Sequence, residues 1–163
     1  MTPERDLVPE RDIDAPAPAL WARWTQPALL EQCFCPVPWR ATDFAMELRP
    51  GGRFASIIRG PDGETIPYAG CFLEVIPERR LARTDAMTEG WRPAAAPLMS
   101  GIITFDPVAT GGTRYRALVL HATPDARAKH EAMGFHEGWG KASDQLAALA
   151  RSISGRSVPG GST

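Results

Sequence analysis

With 163 residues, 44% of them apolar and 23% charged, the chain has the length and composition of one globular domain built on one core. A formal net charge of -1 and a pI near 6.3 provide no basic field for a phosphate backbone, which excludes nucleic acid as an expected partner. No apolar run approaches the roughly 20 residues of a membrane span, Met1 to Asp12 is charged rather than signal-like, and the cysteines Cys33, Cys35 and Cys71 follow no framework spacing, so a cytoplasmic protein with free thiols is expected.

Leu7 to Asp14 alternates weakly and runs into Ala15-Pro16-Ala17-Pro18, which predicts a first strand and then a turn into a helix. Leu20, Trp21 and Trp24 mark a short amphipathic helix. Thr25-Gln26-Pro27 caps and restarts a second one through Leu29, Leu30 and Phe34, and Cys35-Pro36-Val37-Pro38 is loop because a residue before proline is pushed out of the helical region. Thr42 to Leu48 alternates, with Phe44, Met46 and Leu48 on one side, and Arg49-Pro50-Gly51-Gly52 turns it into Arg53 to Arg59. Gly60-Pro61-Asp62-Gly63 leads to a long strand, Ile66 to Ile76, that Gly70 can bulge, and Pro77-Glu78 returns it as Arg80 to Ala86. Met87 to Pro97 shows no period and reads as loop. Leu98 to Asp106 and Thr113 to Ala122 pair across Gly111-Gly112.

From Pro124 to Ile153 one helix is expected, because Ala128, Ala132, Phe135, Trp139, Ala142, Leu146, Leu149 and Ile153 recur at spacings of four and three. Thr123 suits the N-cap, Pro124 the first turn and Asp125 the positive end of the helix dipole; Ser154-Gly155 is the stop. Gly134 and Gly138 lie inside the run and need a reason, such as a local bend near Gly134. Residues 1–153 thus form a single domain and 154–163 a flexible tail. The class is α+β: a curved antiparallel sheet wrapped around a long C-terminal helix, with two short helices after the first strand.

Ile13-Asp14-Ala15-Pro16, Leu20-Trp21, Trp24-Thr25-Gln26-Pro27, Leu48-Arg49-Pro50-Gly51-Gly52-Arg53-Phe54, Gly60-Pro61-Asp62-Gly63, the run from Gly70 to Pro77, Arg79-Arg80-Leu81, Gly112-Thr113-Arg114, Met133 to Trp139 and Asp144-Gln145-Leu146 together resemble the activator of Hsp90 ATPase homologue 1-like family. That family lies in the SRPBCC superfamily, also called START-like or Bet v 1-like. The resemblance covers roughly residues 7 to 151 and implies the helix-grip fold. It also implies a central cavity that takes hydrophobic or amphipathic small molecules, as in compact bacterial relatives; other relatives are cyclases, aromatases or hydrolases. The Hsp90-type chaperone partner in the family name belongs to a protein with an additional N-terminal domain, and the resemblance here, over residues 7 to 151, does not extend to such a domain, so that partner is the less expected one.

The aromatic and sulfur set Trp24, Trp39, Phe54, Phe72, Trp91, Met133, Phe135 and Trp139 comes from the segments that bound such a cavity and supplies the candidate ligand-binding residues, with Tyr115 and His121 added by the alternation of the last strand. The plainer reading is that each is core. His121 at a cavity wall could orient a ligand oxygen, and Tyr115, Arg83 and Glu74 are polar partners whose facing the alternation leaves open. His130-Glu131 and His136-Glu137 lack the spacing of a zinc helix and read as solvated; Cys33-Phe34-Cys35 has no further ligands near it, so neither metal nor cofactor is expected. No nucleophile elbow or phosphate loop occurs. The expected function is binding of a small apolar or amphipathic molecule, with a cyclase or hydrolase in the same cavity, a chaperone-linked interaction module, and a homodimer as the alternatives left open.

Overall fold

The computed structural model describes residues 2–154; of the tail expected over 154–163, Ser154 is the last residue of a helix and the rest lies outside the described residues, as do the side chains of Ile153 and Ser154. The first strand forms in two pieces, β1 (Asp6–Leu7) and β2 (Glu10–Ile13), on either side of Val8-Pro9. Proline offers no N–H to a ladder, which breaks the strand there. Both pieces lie along the same edge of the last strand. Helices α1 (Ala17–Thr25) and α2 (Pro27–Leu30) follow, each with proline in its first turn, where the missing N–H costs nothing.

Strands β3 (Arg40–Met46), β4 (Arg53–Arg59), β5 (Thr65–Ile76) and β6 (Arg80–Thr84) form an antiparallel meander through the expected turns. The predicted face of β3 is modified: a bulge between Thr42 and Ala45 shifts the register, Phe44 and Met46 pack on the core, and Leu48 is left exposed beyond the strand. The segment read as loop contains a small hairpin, β7 (Met87–Thr88) and β8 (Arg92–Pro93). Two-residue strands carry no period to read. This hairpin is fastened by the Arg53–Glu89 ion pair and by Trp91, whose indole closes over Gly51 so tightly that a β-carbon there would lie 2.7 Å from it. Strands β9 (Ser100–Pro107) and β10 (Thr113–Leu120) complete an eight-stranded sheet, ordered β1-β10-β9-β6-β5-β4-β3 with β2 also on β10.

The single C-terminal helix expected from the stripe is two helices, α3 (Pro124–Ala132) and α4 (Phe135–Ser154). The Thr123 hydroxyl accepts from the Ala126 N–H, so the start is capped as its residues imply. Gly134, at φ +87°, then ends α3 in the left-handed region. Beyond the break the stripe holds, with Phe135, Leu146, Ala147 and Ala150 buried; before it, Ala128 and Ala132 are exposed and α3 buries nothing fully. An alanine at Gly134 meets no neighbour, so its cost is backbone strain alone. Gly134→Ala should lower stability by about 1–2 kcal/mol in urea denaturation. No loss would mean the break is not maintained in solution.

The core lies between the sheet and the layer of α1 and α4. Ile13, Leu20, Phe54, Phe72, Leu81, Phe105 and Val119 are fully buried there. Arg23, also buried, donates from Nη2 to the Leu149 carbonyl at 2.8 Å, placing a cation toward the negative end of α4.

Candidate functional site

The space between the sheet and the helices is divided by side chains into separate compartments. The deepest compartment, about 40 Å³, is enclosed by Trp24, Leu30, Cys33, Phe34, Tyr115, Trp139 and Leu146. Trp24 Nε1 donates to Tyr115 Oη at 3.1 Å, so these two polar groups satisfy one another. Burial pushes the Tyr115 phenol well above its usual range and keeps it protonated. A second compartment of about 240 Å³ opens between β2 and α4, past Pro9, Arg11 and Gly140.

The third is the mouth. About 280 Å³ lies between Ile58, Tyr68 and Arg83 on the sheet and His130, Gly134, Phe135, Gly138 and Ala142 on the broken helix, with Phe34 and Pro36 at one side. Two glycines border this space on the helix side. Gly134 turns the chain away, and Gly138 presents no side chain where a β-carbon would already stand 3.6 Å from Pro36 Cγ. Trp139, stacked on Phe135 at 5.7 Å, borders all three compartments and acts as the wall between them.

Arg83 is the polar feature of the mouth. It faces inward with Leu81, is 6% exposed, and donates from Nη1 to Tyr68 Oη at 2.7 Å. Its guanidinium sits over the rings of Phe54 (4.7 Å) and Phe34 (5.4 Å). Glu74 is directed otherwise, half-buried and paired with Arg80 at 2.8 Å.

His121 is buried, yet it does not line these compartments. Its Nδ1 meets the Arg5 carbonyl at 2.8 Å and its Nε2 meets His130 Nδ1 at 2.8 Å. A carbonyl only accepts, so His121 Nδ1 carries a proton, and in the neutral pair His121 Nε2 accepts from His130 Nδ1–H. His130 is therefore not the solvated residue that its place in the sequence suggested. Desolvation, then the adjacent His121, hold its imidazole below the usual value of 6.5, while Asp85 pulls the other way. A base whose pKa falls on folding is protonated more readily in the unfolded chain. Its contribution is complete above pH 6.5 and is lost as pH drops through the window below. The melting temperature should thus fall on going from about pH 7.5 to about pH 5.5, and His130→Asn should shrink that fall; an equal fall in the variant would clear His130 of the effect.

Burial raises the Cys33 and Cys35 thiols to about 11, which leaves them un-ionised near neutrality. Among the described residues no three His, Cys, Asp or Glu side chains gather as a metal site.

Of the residues singled out from sequence, the structure brings Trp24, Tyr115, Phe135 and Trp139 together around the compartments and puts Met133, 73% exposed, on the rim. Phe54 and Phe72 lie beneath, fully buried and in contact at 5.5 Å. Trp39, beside Gly60, and Trp91, over Gly51, stand elsewhere on the sheet. Tyr68 and Phe34 were not among the candidates. Arg83 had a signal in the sequence: β6 alternates Leu81–Arg83 on one face, and a charge on an apolar face is conspicuous.

The model of the family described as Activator of Hsp90 ATPase homolog 1-like protein matches residues 14–151. A crystal structure of a protein from Nitrosomonas europaea is 40% identical, with a TM-score of 0.91 over 96% of this chain and 100% of that one. A Mycobacterium smegmatis protein is 27% identical, with a TM-score of 0.76 over 90% and 91%. One from Rhodobacter sphaeroides is 25% identical, with a TM-score of 0.79 over 92% and 95%. No protein of curated function matches the chain.

Proposed function

Since the chain belongs to the Activator of Hsp90 ATPase homolog 1-like family and has its helix-grip fold, we propose that it binds a small apolar or amphipathic molecule in the mouth between the sheet and the broken C-terminal helix. The supporting observation is the 280 Å³ space bounded by Phe34, Tyr68, Phe135 and Trp139, with Gly134 and Gly138 on its helix side. That volume is near the lower end of small-molecule sites, roughly 300–1,000 Å³, and suits a compact ligand or one end of a longer one. Binding would draw on burial of apolar surface, at about 25 cal/mol per Å² removed from water. Both ring nitrogens of His121 are engaged within the protein, by the Arg5 carbonyl and by His130, which argues for holding a ligand rather than for acid–base chemistry on it.

The test is native mass spectrometry of freshly purified protein, followed by thermal-shift titration with decanol, decanoate and naphthylmethanol. A co-purified small mass, or a concentration-dependent rise in melting temperature, is the expected result. Neither mass nor shift with any of the three would set the reading aside.

A further inference from the structure

We propose that the ligand of the mouth is a monocarboxylate with an apolar body, and that Arg83 is the residue that anchors its carboxylate; this rests on the mouth being a binding site. Arg83 is 6% exposed and lines the mouth, and no carboxylate pairs with it among the described residues. The nearby acids are engaged elsewhere. Glu74 holds Arg80 at 2.8 Å, and Asp85 accepts from the backbone N–H groups of Leu98 and Met99 at 2.9 and 3.0 Å.

Arginine keeps its charge at neutral pH, and a buried cation without a counter-charge is costly. The faces of Phe54, Phe34, Tyr68 and Trp24, between 4.7 Å and 5.9 Å away, offset only part of that cost. A leucine or methionine beside Leu81 would fill the same position without it. Unlike Arg23, which is buried against the Leu149 carbonyl, Arg83 lines a space that an anion could enter.

The hydrogen-bonding inventory points to a carboxylate. Arg83 Nε–H is buried and has no partner. Tyr68 Oη accepts from Arg83 Nη1, which leaves its own proton to donate. Across the ladder from Tyr68, the hydroxyl of Ser56, 4% exposed, is also without a partner. Arg83 and Tyr68 thus have donors to offer at the mouth, with the unpartnered Ser56 hydroxyl on the strand beside Tyr68, and a carboxylate is acceptor-only and matches the guanidinium fork. Gly101, the β9 neighbour of Arg83, presents no side chain on that face. The remaining walls, Phe34, Phe135, Trp139 and Ala142, are apolar and suit a hydrocarbon or aryl body.

The experiment is isothermal calorimetry on the full chain near neutral pH with decanoate against decanol, and naphthalene-1-carboxylate against 1-naphthylmethanol. For wild type, each acid is expected to bind roughly tenfold or more tighter than its alcohol, as for a charge-assisted hydrogen bond in a desolvated site. Arg83→Met should weaken the acids by a similar factor and affect the alcohols less, so that the acid preference disappears, and Arg83→Lys should keep part of the preference. Thermal melts establish that the variants fold, and the wild-type ratio of acid to alcohol needs no variant. Equal binding of acid and alcohol to wild type, or an acid preference that survives in Arg83→Met, overturns the anchor while the cavity stands. Failure of every probe to bind overturns the cavity reading and the anchor with it.

Discussion

Replacing Phe54 by alanine should destabilise the protein by about 3–5 kcal/mol, a large share of the roughly 5–15 kcal/mol that holds a domain together. The ring has no exposure and is the hub of an aromatic cluster, with Phe34, Phe44, Tyr68 and Phe72 between 5.5 Å and 6.0 Å away. These neighbours come from β3, β5 and the segment after α2. They cannot collapse together into the void, since they are tethered to separate parts of the backbone, and the cavity adds to the lost transfer free energy. The Arg83 guanidinium, 4.7 Å from the Phe54 centroid, would lose its nearest aromatic face as well. Urea unfolding should show a lower midpoint at unchanged slope. Phe54→Leu, which leaves a smaller void, should cost clearly less. A loss under about 1 kcal/mol for the alanine variant would mean the strands close over the gap, and the cluster would not be what holds the mouth open.

Trp139→Ala is the second large effect, and it separates stability from binding. Trp139 is half-buried, so the expected cost, about 2–3 kcal/mol, is below that of a fully buried aromatic. Its removal takes away the wall that all three compartments share, and joins the mouth to the deep space beside Tyr115. The variant should be less stable without ligand yet accept longer chains. Hexadecanoate should raise its melting temperature more than it raises that of wild type, while decanoate should show little difference. If hexadecanoate stabilises both proteins alike, Trp139 does not partition the space, and the wild-type mouth is deeper than its walls indicate.

The two effects bear on one question: how a small sheet-and-helix domain retains a gap in its interior. Close packing normally removes such gaps. Here the backbone resists closure. Gly134 redirects the helix, Gly138 withholds a side chain opposite Pro36, and α3 is drawn against the end of β10 by the His121–His130 bond. The sheet side is held by the Phe54 cluster. The mouth is thus framed by packed parts of the fold, and a ligand entering it would meet a site whose walls already stand in place.

Local signals in the chain determined the element order, the α+β class, the turns at Gly51, Gly63 and Gly111, and the capped start of the C-terminal helical region. Periodicity and turn chemistry act over a few residues, and the residues that carry them are adjacent in the chain. The apolar face of α4 from Phe135 to Leu149 was legible for the same reason. The family resemblance was legible too, because its motifs are strung in order along the sequence. Tertiary structure alone decided that Gly134 divides the helix rather than bending it, since glycine tolerates both and the surrounding contacts choose. It also decided that His121 turns to Arg5 and His130, that Trp39 and Trp91 stand over turns, and that Arg83, Tyr68 and Ser56, from three neighbouring strands, meet on one face. A site of that kind depends on register and on the packing of distant segments, and a one-residue change in register sends a side chain to the opposite face of the sheet.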